Sequence, residues 1–208
     1  MTPAPVVVRL GGWLFRQRTW LPLPIAAALI FIPAPPASSV RPFWIAGLAL
    51  IVAGEAIRFW SVHHIGAISR TRSDRLGPLV ASGPFAFVRN PLYIGNIALW
   101  AGFAVIAQLL WLAPAIVLLL AFEYHAIVRW EETLLATRLG DPYRQYLTRV
   151  PRWIPHLGGA QSRAPRDADS LPRLFSWKET LYSERGTLIA IAVGYVLLFV
   201  KASSGFGL

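Results

Sequence analysis

LYIGNIALWAGFAVIAQLLWLAPAIVLLLAFEYHAIV, residues 92–128, decides the fold. The run is 37 residues long and carries no formal charge until Glu123. A helix crosses the hydrocarbon core of a bilayer with about 20 apolar residues. One helix therefore cannot account for this stretch. It reads as two spans, 92–107 and 110–128, joined by a tight turn near Gln108.

Working outward, residues 43–60 (FWIAGLALIVAGEAIRFW) form another span, and residues 187–204 form the last. Residues 20–37 read as a span interrupted by Pro22, Pro24, Pro33, Pro35 and Pro36. Pro22 and Pro24 fit a first helical turn, where no backbone donor is lost. The other three prolines end the helix. The expected fold is thus all-α, a single polytopic membrane domain over 1–208 with about five transmembrane helices and short cytoplasmic helices. The prolines and the long basic leader argue against reading 1–38 as a cleaved signal peptide.

Composition points the same way. Of 208 residues, 55% are hydrophobic and 14% charged, against about 25% charged in a soluble domain. Cysteine is absent, so disulfides, thiolate metal sites and a cysteine nucleophile are excluded. The net charge of +10 does not indicate nucleic acid, because the basic residues lie between apolar runs, where topology and anionic lipid explain them. Arg9, Arg16 and Arg18 precede the first span. Arg70, Arg72, Arg75 and Arg89 follow the second, and ten Lys/Arg residues fall within 129–185. Arg41 and Lys201 lie on the other side. The positive-inside bias puts the N-terminus in the cytoplasm and the C-terminus outside, the arrangement expected of an inner-membrane protein.

The cytoplasmic side then collects two polar clusters, in 61–91 and 129–155. The first contains the turn signal Ser82-Gly83-Pro84 and the helix start Asn90-Pro91, with Asn at the cap and Pro at the first helical position. Arg89 either anchors the span at the headgroups or grips an anion with its fork of donors. Tyr93 suits the interface, and Gly95 suits close helix packing. Glu55 and Arg58, three residues apart within a span, read as an ion pair. His63, His64 and His125 have no companions at metal-ligand spacing, so no metal site is expected.

In the second cluster, residues 129–139 (RWEETLLATRL) read as a short helix ended by Gly140. Asp141-Pro142 starts another that runs to about Arg149. Glu131 and Glu132 diverge by about a third of a turn, so only one is expected to point into a shared site. Tyr143, Tyr146 and Arg149 follow one another at i, i+3 spacing along one face. Residues 156–185 form a connector. Its first part is rich in Gly, Ser, Pro and Arg, and 175–185 (FSWKETLYSER) is read as an interfacial helix. No internal repeat is present. Together the two clusters, bridged by the hairpin, outline a cytoplasm-facing pocket.

The segment Gly83-Pro84-Phe85 through Val88-Arg89-Asn90-Pro91-Leu92-Tyr93-Ile94-Gly95 resembles the G-P-Y-x-x-V-R-H-P-x-Y-x-G motif of the isoprenylcysteine carboxyl methyltransferases and the related phospholipid N-methyltransferases. Glu131-Glu132, Leu135, Gly140, Tyr143, Tyr146, Val150-Pro151 and Pro155 are similar to the tail motif of the same superfamily. The resemblance covers about 43–155. It implies an integral membrane methyltransferase that uses S-adenosylmethionine on a lipid-like acceptor, either a prenylated carboxylate or a phospholipid amine. It also implies that Arg89, Asn90, Pro91, Tyr93, Gly95, Glu131, Tyr143 and Tyr146 line the cofactor. Asn90 stands where the family has histidine, and it cannot titrate near neutrality. For an anionic acceptor, Arg149 is the expected orienting group. For an amine, Glu132 is the expected base. The alternatives are a membrane reductase using a nicotinamide cofactor and a non-catalytic lipid-binding scaffold.

Overall fold

The computed structural model describes residues 5–35, 39–66, 79–156 and 175–204, and within them the chain is helical throughout, with no strand. The helices are α1 (Val6–Gln17), α2 (Pro22–Phe31), α3 (Arg41–Ile65), α4 (Pro91–Ile106), α5 (Ala113–Leu139), α6 (Asp141–Arg149) and α7 (Trp177–Ser203), with a short 3-10 turn at Gly83–Ala86. Arg70, Arg72, Arg75 and the Gly/Ser/Pro-rich part of the expected connector lie outside the described residues.

Three helices, α3, α5 and α7, are long and apolar enough to cross a membrane. The two others expected to span, α2 and α4, are apolar helices of 10 and 16 residues. At 1.5 Å per residue, α2 extends only about 15 Å, because Pro33 and Pro35 follow it. The long apolar run does turn back at Gln108, which takes a left-handed φ of 60°. That conformation is uncommon for a residue with a side chain.

Two expected boundaries are absent. Residues 129–139 are not a separate helix but the continuation of α5, since nothing between Pro114 and Gly140 breaks the ladder. Likewise 175–185 and 187–204 are one helix, α7, which begins with a capping box between Ser176 and Glu179. Helix α1 was not expected. It is amphipathic, burying Val8, Gly11, Gly12 and Leu14.

The hairpin of α3 and α4 is held by glycine. A Cβ on Gly54 would stand 2.7 Å from the Gly95 carbonyl oxygen, and one on Gly102 would stand 2.7 Å from that of Gly47. The two contacts sit one heptad apart on each helix and run in opposite directions. The helix backbones therefore touch where side chains would hold them apart, which is how helices associate without a hydrophobic driving force. Gly95 is thus a packing residue. Beside it, Arg58 meets Glu55 at 3.3 Å, Glu184 at 2.6 Å and Asn96 at 2.5 Å. The expected Glu55–Arg58 pair is present, enlarged into a network that ties α7 to the hairpin. At the other end of α7, Lys201 donates to the carbonyls of Leu29 and Ile32, at 2.7 and 2.6 Å, and so caps α2.

Gly54→Leu is expected to destabilise the protein by about 1–3 kcal/mol, the usual cost of overpacking a close contact. The measurement is a lowered unfolding midpoint in detergent. Leu118→Ala, on an exposed face, is expected to stay within about 0.5 kcal/mol.

Candidate functional site

The first polar cluster is shaped by the 3-10 turn at Gly83–Ala86. Gly83 has φ 58° and lies against the His64 ring, where a side chain would collide. The turn buries Phe85, and Val88 is buried just beyond it. The next residues run beside the tail that follows α6. Arg89 N–H donates to the Pro151 carbonyl at 2.9 Å, and His156 N–H donates to that of Phe87 at 3.1 Å. The Asn90 side chain donates to the Arg152 carbonyl at 3.0 Å. Asn90 occupies the cap position of α4, yet its side chain makes no cap bond. It joins the two clusters instead.

Side chains complete the junction. Glu132 accepts from Arg152 through both oxygens, at 2.9 and 2.7 Å, and pairs with Arg89 at 2.8 Å. Arg89 and Glu132 are each 12% exposed, so the pair is largely withdrawn from water. The bond to Glu132 pushes the Arg152 guanidinium above its ordinary range. One turn into α4, the Tyr93 hydroxyl donates to Glu131 at 3.1 Å, and its ring stacks on Tyr124 with centroids 4.7 Å apart. Both glutamates therefore reach the first cluster, contrary to the expectation that only one would. Their divergence matches the separation of Arg89 in the loop from Tyr93 on the helix.

Tyr143 and Tyr146 are buried on α6, their rings 5.9 Å apart. The Tyr146 hydroxyl donates to the Phe85 carbonyl at 2.8 Å. Burial first, then nearby negative groups, pushes both phenols up, so they remain neutral donors. Arg149, one turn further on, is exposed and does not join them. Pro91 is fully buried at the start of α4. Asp141 proves to be the first residue of α6, after Gly140 at φ 62°, and pairs with Arg144 at 2.9 Å.

Two clefts open onto this junction and share Arg89. One, of about 550 Å³, is lined by Arg89, Arg129, Glu132, Arg144 and Arg152 among others. The other, of about 310 Å³, is lined by Arg89, Arg149, Pro151, Ile154 and His156 among others. Both have the sign and size to take a small polar ligand with an anionic group. Sequence reasoning missed Arg152, which sits between Pro151 and Pro155 at a position the tail motif leaves open. It also missed Asn96 and Glu184 as partners of Arg58. A carboxylate and an amide flanking an intramembrane arginine were the available signal.

Residues 43–141 match the model of the phospholipid methyltransferase family. The match agrees with the resemblance read from the two motifs and with the membrane methyltransferase superfamily they indicate. It takes in the whole of the first motif and both glutamates, and stops before Tyr143. Over 114 residues, 55% of this chain, the protein is 25% identical to the cobalt-zinc-cadmium resistance protein CzcN of Cupriavidus metallidurans, covering 52% of that protein. Over the same length it is 26% identical to the nickel-cobalt-cadmium resistance protein NccN of Alcaligenes xylosoxydans xylosoxydans, covering 53%. The chain thus spans about half the length of these relatives. No solved structure matches it. Three helices of membrane-crossing length and a match to a membrane methyltransferase family over 43–141 indicate an integral membrane protein.

Glu132→Gln would leave Arg89 and Arg152 facing each other without their counter-charge. Breaking such a pair costs about 3 kcal/mol, read as a lowered unfolding midpoint. Arg152→Gln is expected to cost less, because Glu132 keeps Arg89.

Proposed function

We propose that this protein transfers a methyl group from S-adenosylmethionine to a lipid-like acceptor at the cytoplasmic membrane face. The observation that carries the reading is the Tyr93–Glu131 hydrogen bond beside the Arg89–Glu132–Arg152 cluster, which brings the two motifs to one point. S-adenosylmethionine would supply an electrophilic methyl on a sulfonium. The task left to the protein is to align donor and acceptor and to exclude water.

The residues divide this task. Glu132, held by two guanidiniums, braces the junction and is a poor base. Glu131, whose partner is a phenol, is the better proton acceptor for an amine substrate. A carboxylate substrate needs no base, and Arg149 at the rim of the smaller cleft would orient it. Asn90 secures the backbone of both motifs and takes no part in proton transfer. The acceptor would enter from the bilayer with its apolar chain. In this reading, the link to the relatives' names runs through the envelope, since methylating a lipid carboxylate removes a negative charge, and methylating an amine replaces its N–H donors with methyls, at a surface that meets cations.

The topology proposed places the N-terminus in the cytoplasm and the C-terminus outside the inner membrane. The absence of native cysteine makes this simple to test. A single Ser204→Cys in intact cells is expected to react with a membrane-impermeant maleimide, and protection until lysis would reverse the orientation.

For the reaction, labelled methyl from S-adenosylmethionine is expected to enter one product when protein and a total lipid extract are incubated together. Binding of reduced nicotinamide without S-adenosylmethionine would favour a reductase, and saturable binding of neither would favour a scaffold. Tyr93→Phe removes one hydrogen bond and is expected to weaken S-adenosylmethionine binding about fivefold, at about 1 kcal/mol. Titration calorimetry reads the difference.

A further inference from the structure

The larger of the two clefts is built from four separate stretches of chain. Arg129, Glu132, Thr133 and Thr137 fall at i, i+3, i+4 and i+8 on α5 and so share one face. Gly140, at φ 62°, ends that helix, and α6 folds back against it through Tyr143 and Tyr146. That brings Arg144 across the cleft from Arg129. Arg89 and Arg152 close the floor through Glu132. Arg129 stands directly after the apolar run of 92–128, so the mouth of the cleft lies at the depth of the lipid headgroups.

Four guanidiniums therefore meet one carboxylate. Both oxygens of Glu132 are taken by Arg152, and one of them also by Arg89. The Nε of Arg89 stays buried without a hydrogen-bond partner among the described residues. Arg129 lends its backbone carbonyl to the Thr133 hydroxyl, but its guanidinium has no ion pair or hydrogen bond among the described residues. Arg144 meets Asp141 at 2.9 Å, with side chains 67% and 81% exposed. A pair so open to water yields readily to a competing anion. The Thr133 and Thr137 hydroxyls donate to carbonyls of their own helix, which leaves the arginines as the donors that the cleft offers. A carboxylate brings one charge and two oxygens to such a site. A phosphate monoester brings up to two charges and three oxygens around one centre, which forks on opposite walls can share.

We propose that the larger cleft binds a phosphate monoester, gripped by Arg129 from α5 and Arg144 from α6 above the Arg89–Glu132–Arg152 floor. The inference stands apart from the methyl-transfer reading, because neither Tyr93 nor Glu131 lines this cleft. An anionic lipid headgroup and a soluble ester present the same phosphate, and the two sources separate by experiment. Bound there, the phosphate bridges α5 and α6 and stabilises the packing of Tyr143 and Tyr146 between them.

The test is calorimetric titration of the full chain in dodecyl maltoside, a detergent without phosphate, at constant ionic strength. The probes are dioctanoyl phosphatidic acid, glycerol 3-phosphate and decanoate. Phosphatidic acid is expected to bind saturably, one per chain, about tenfold or more tighter than decanoate, and to raise the unfolding midpoint. Arg129→Gln and Arg144→Gln are each expected to weaken it about tenfold, the loss of one charge-assisted hydrogen bond. Arg138→Gln removes the same charge from α5 at an exposed position outside the cleft, and is expected to change affinity by less than about twofold. Glycerol 3-phosphate binding with the same dependence on Arg129 and Arg144 supports the site with a soluble ester as its ligand. Binding of phosphatidic acid alone supports it with a lipid headgroup. Arg129 and Arg144 are exposed, and their loss is expected to leave the fold intact. If a glutamine variant does not fold, Arg129→Lys carries the test. It keeps the charge but not the fork, so an affinity between wild type and a tenfold loss supports the proposal and an unchanged one overturns it. Unchanged affinity in both glutamine variants overturns it as well. Equal weakening by Arg138→Gln would mean diffuse surface charge, and equal affinity for decanoate would mean no preference for phosphate. Either result, or the failure of both phosphate compounds to saturate, overturns the proposal.

Discussion

One carboxylate, Glu132, holds two guanidiniums that come from opposite ends of the same hairpin. Charges this far withdrawn from water are stable only when paired with good geometry, and the bidentate contact with Arg152 supplies it. The backbone bonds of Arg89 and His156 then fix the two chain segments side by side. Every other element of the candidate site, from the buried tyrosines of α6 to the Tyr93–Glu131 contact, is placed relative to that join. The glycine seam of α3 and α4 serves the same end at membrane depth. It sets the height of Arg89 and Tyr93 by letting two backbones meet.

Much of this was legible in residue order. The 92–128 run had to fold back, and it does so at Gln108. Gly140 had to end a helix, and it does. The pairing of Glu55 with Arg58 followed from the cost of a charge in hydrocarbon. Helix continuity was harder to see. The polar stretches 129–139 and 175–185 look like separate interfacial helices by composition, but a helical ladder needs no change of solvent to continue, only the absence of a breaker. The spacing of Gly47 from Gly54, and of Gly95 from Gly102, was visible in the sequence. Nothing in one chain says which two glycine pairs will face each other. The same holds for Arg152 and Glu132, twenty residues apart. Long-range pairing of this kind is a property of the folded hairpin, not of local pattern.

The family match begins at residue 43 and ends at 141, while two contributions to the site come from beyond it. The α6 tyrosines and the 150–156 tail close it from one side, and α1 leans on α5 from the other. The matched segment therefore supplies Arg89 and Glu132 to the join, while Arg152 and the backbone partners of Arg89 and Phe87 come from the tail beyond it.

Helix α7 touches little protein along its middle, with 6% of its apolar window buried, and is secured near each end by a polar latch. Such a beam is free to bow but not to slide or turn, because either movement would strip Glu184 or Lys201 of its partners in a medium that offers no replacement. Its compliance is therefore sideways. A long-chain molecule dissolved in the leaflet meets that wall as a yielding one, and can displace neighbouring acyl chains along it without disturbing the polar machinery at the membrane surface.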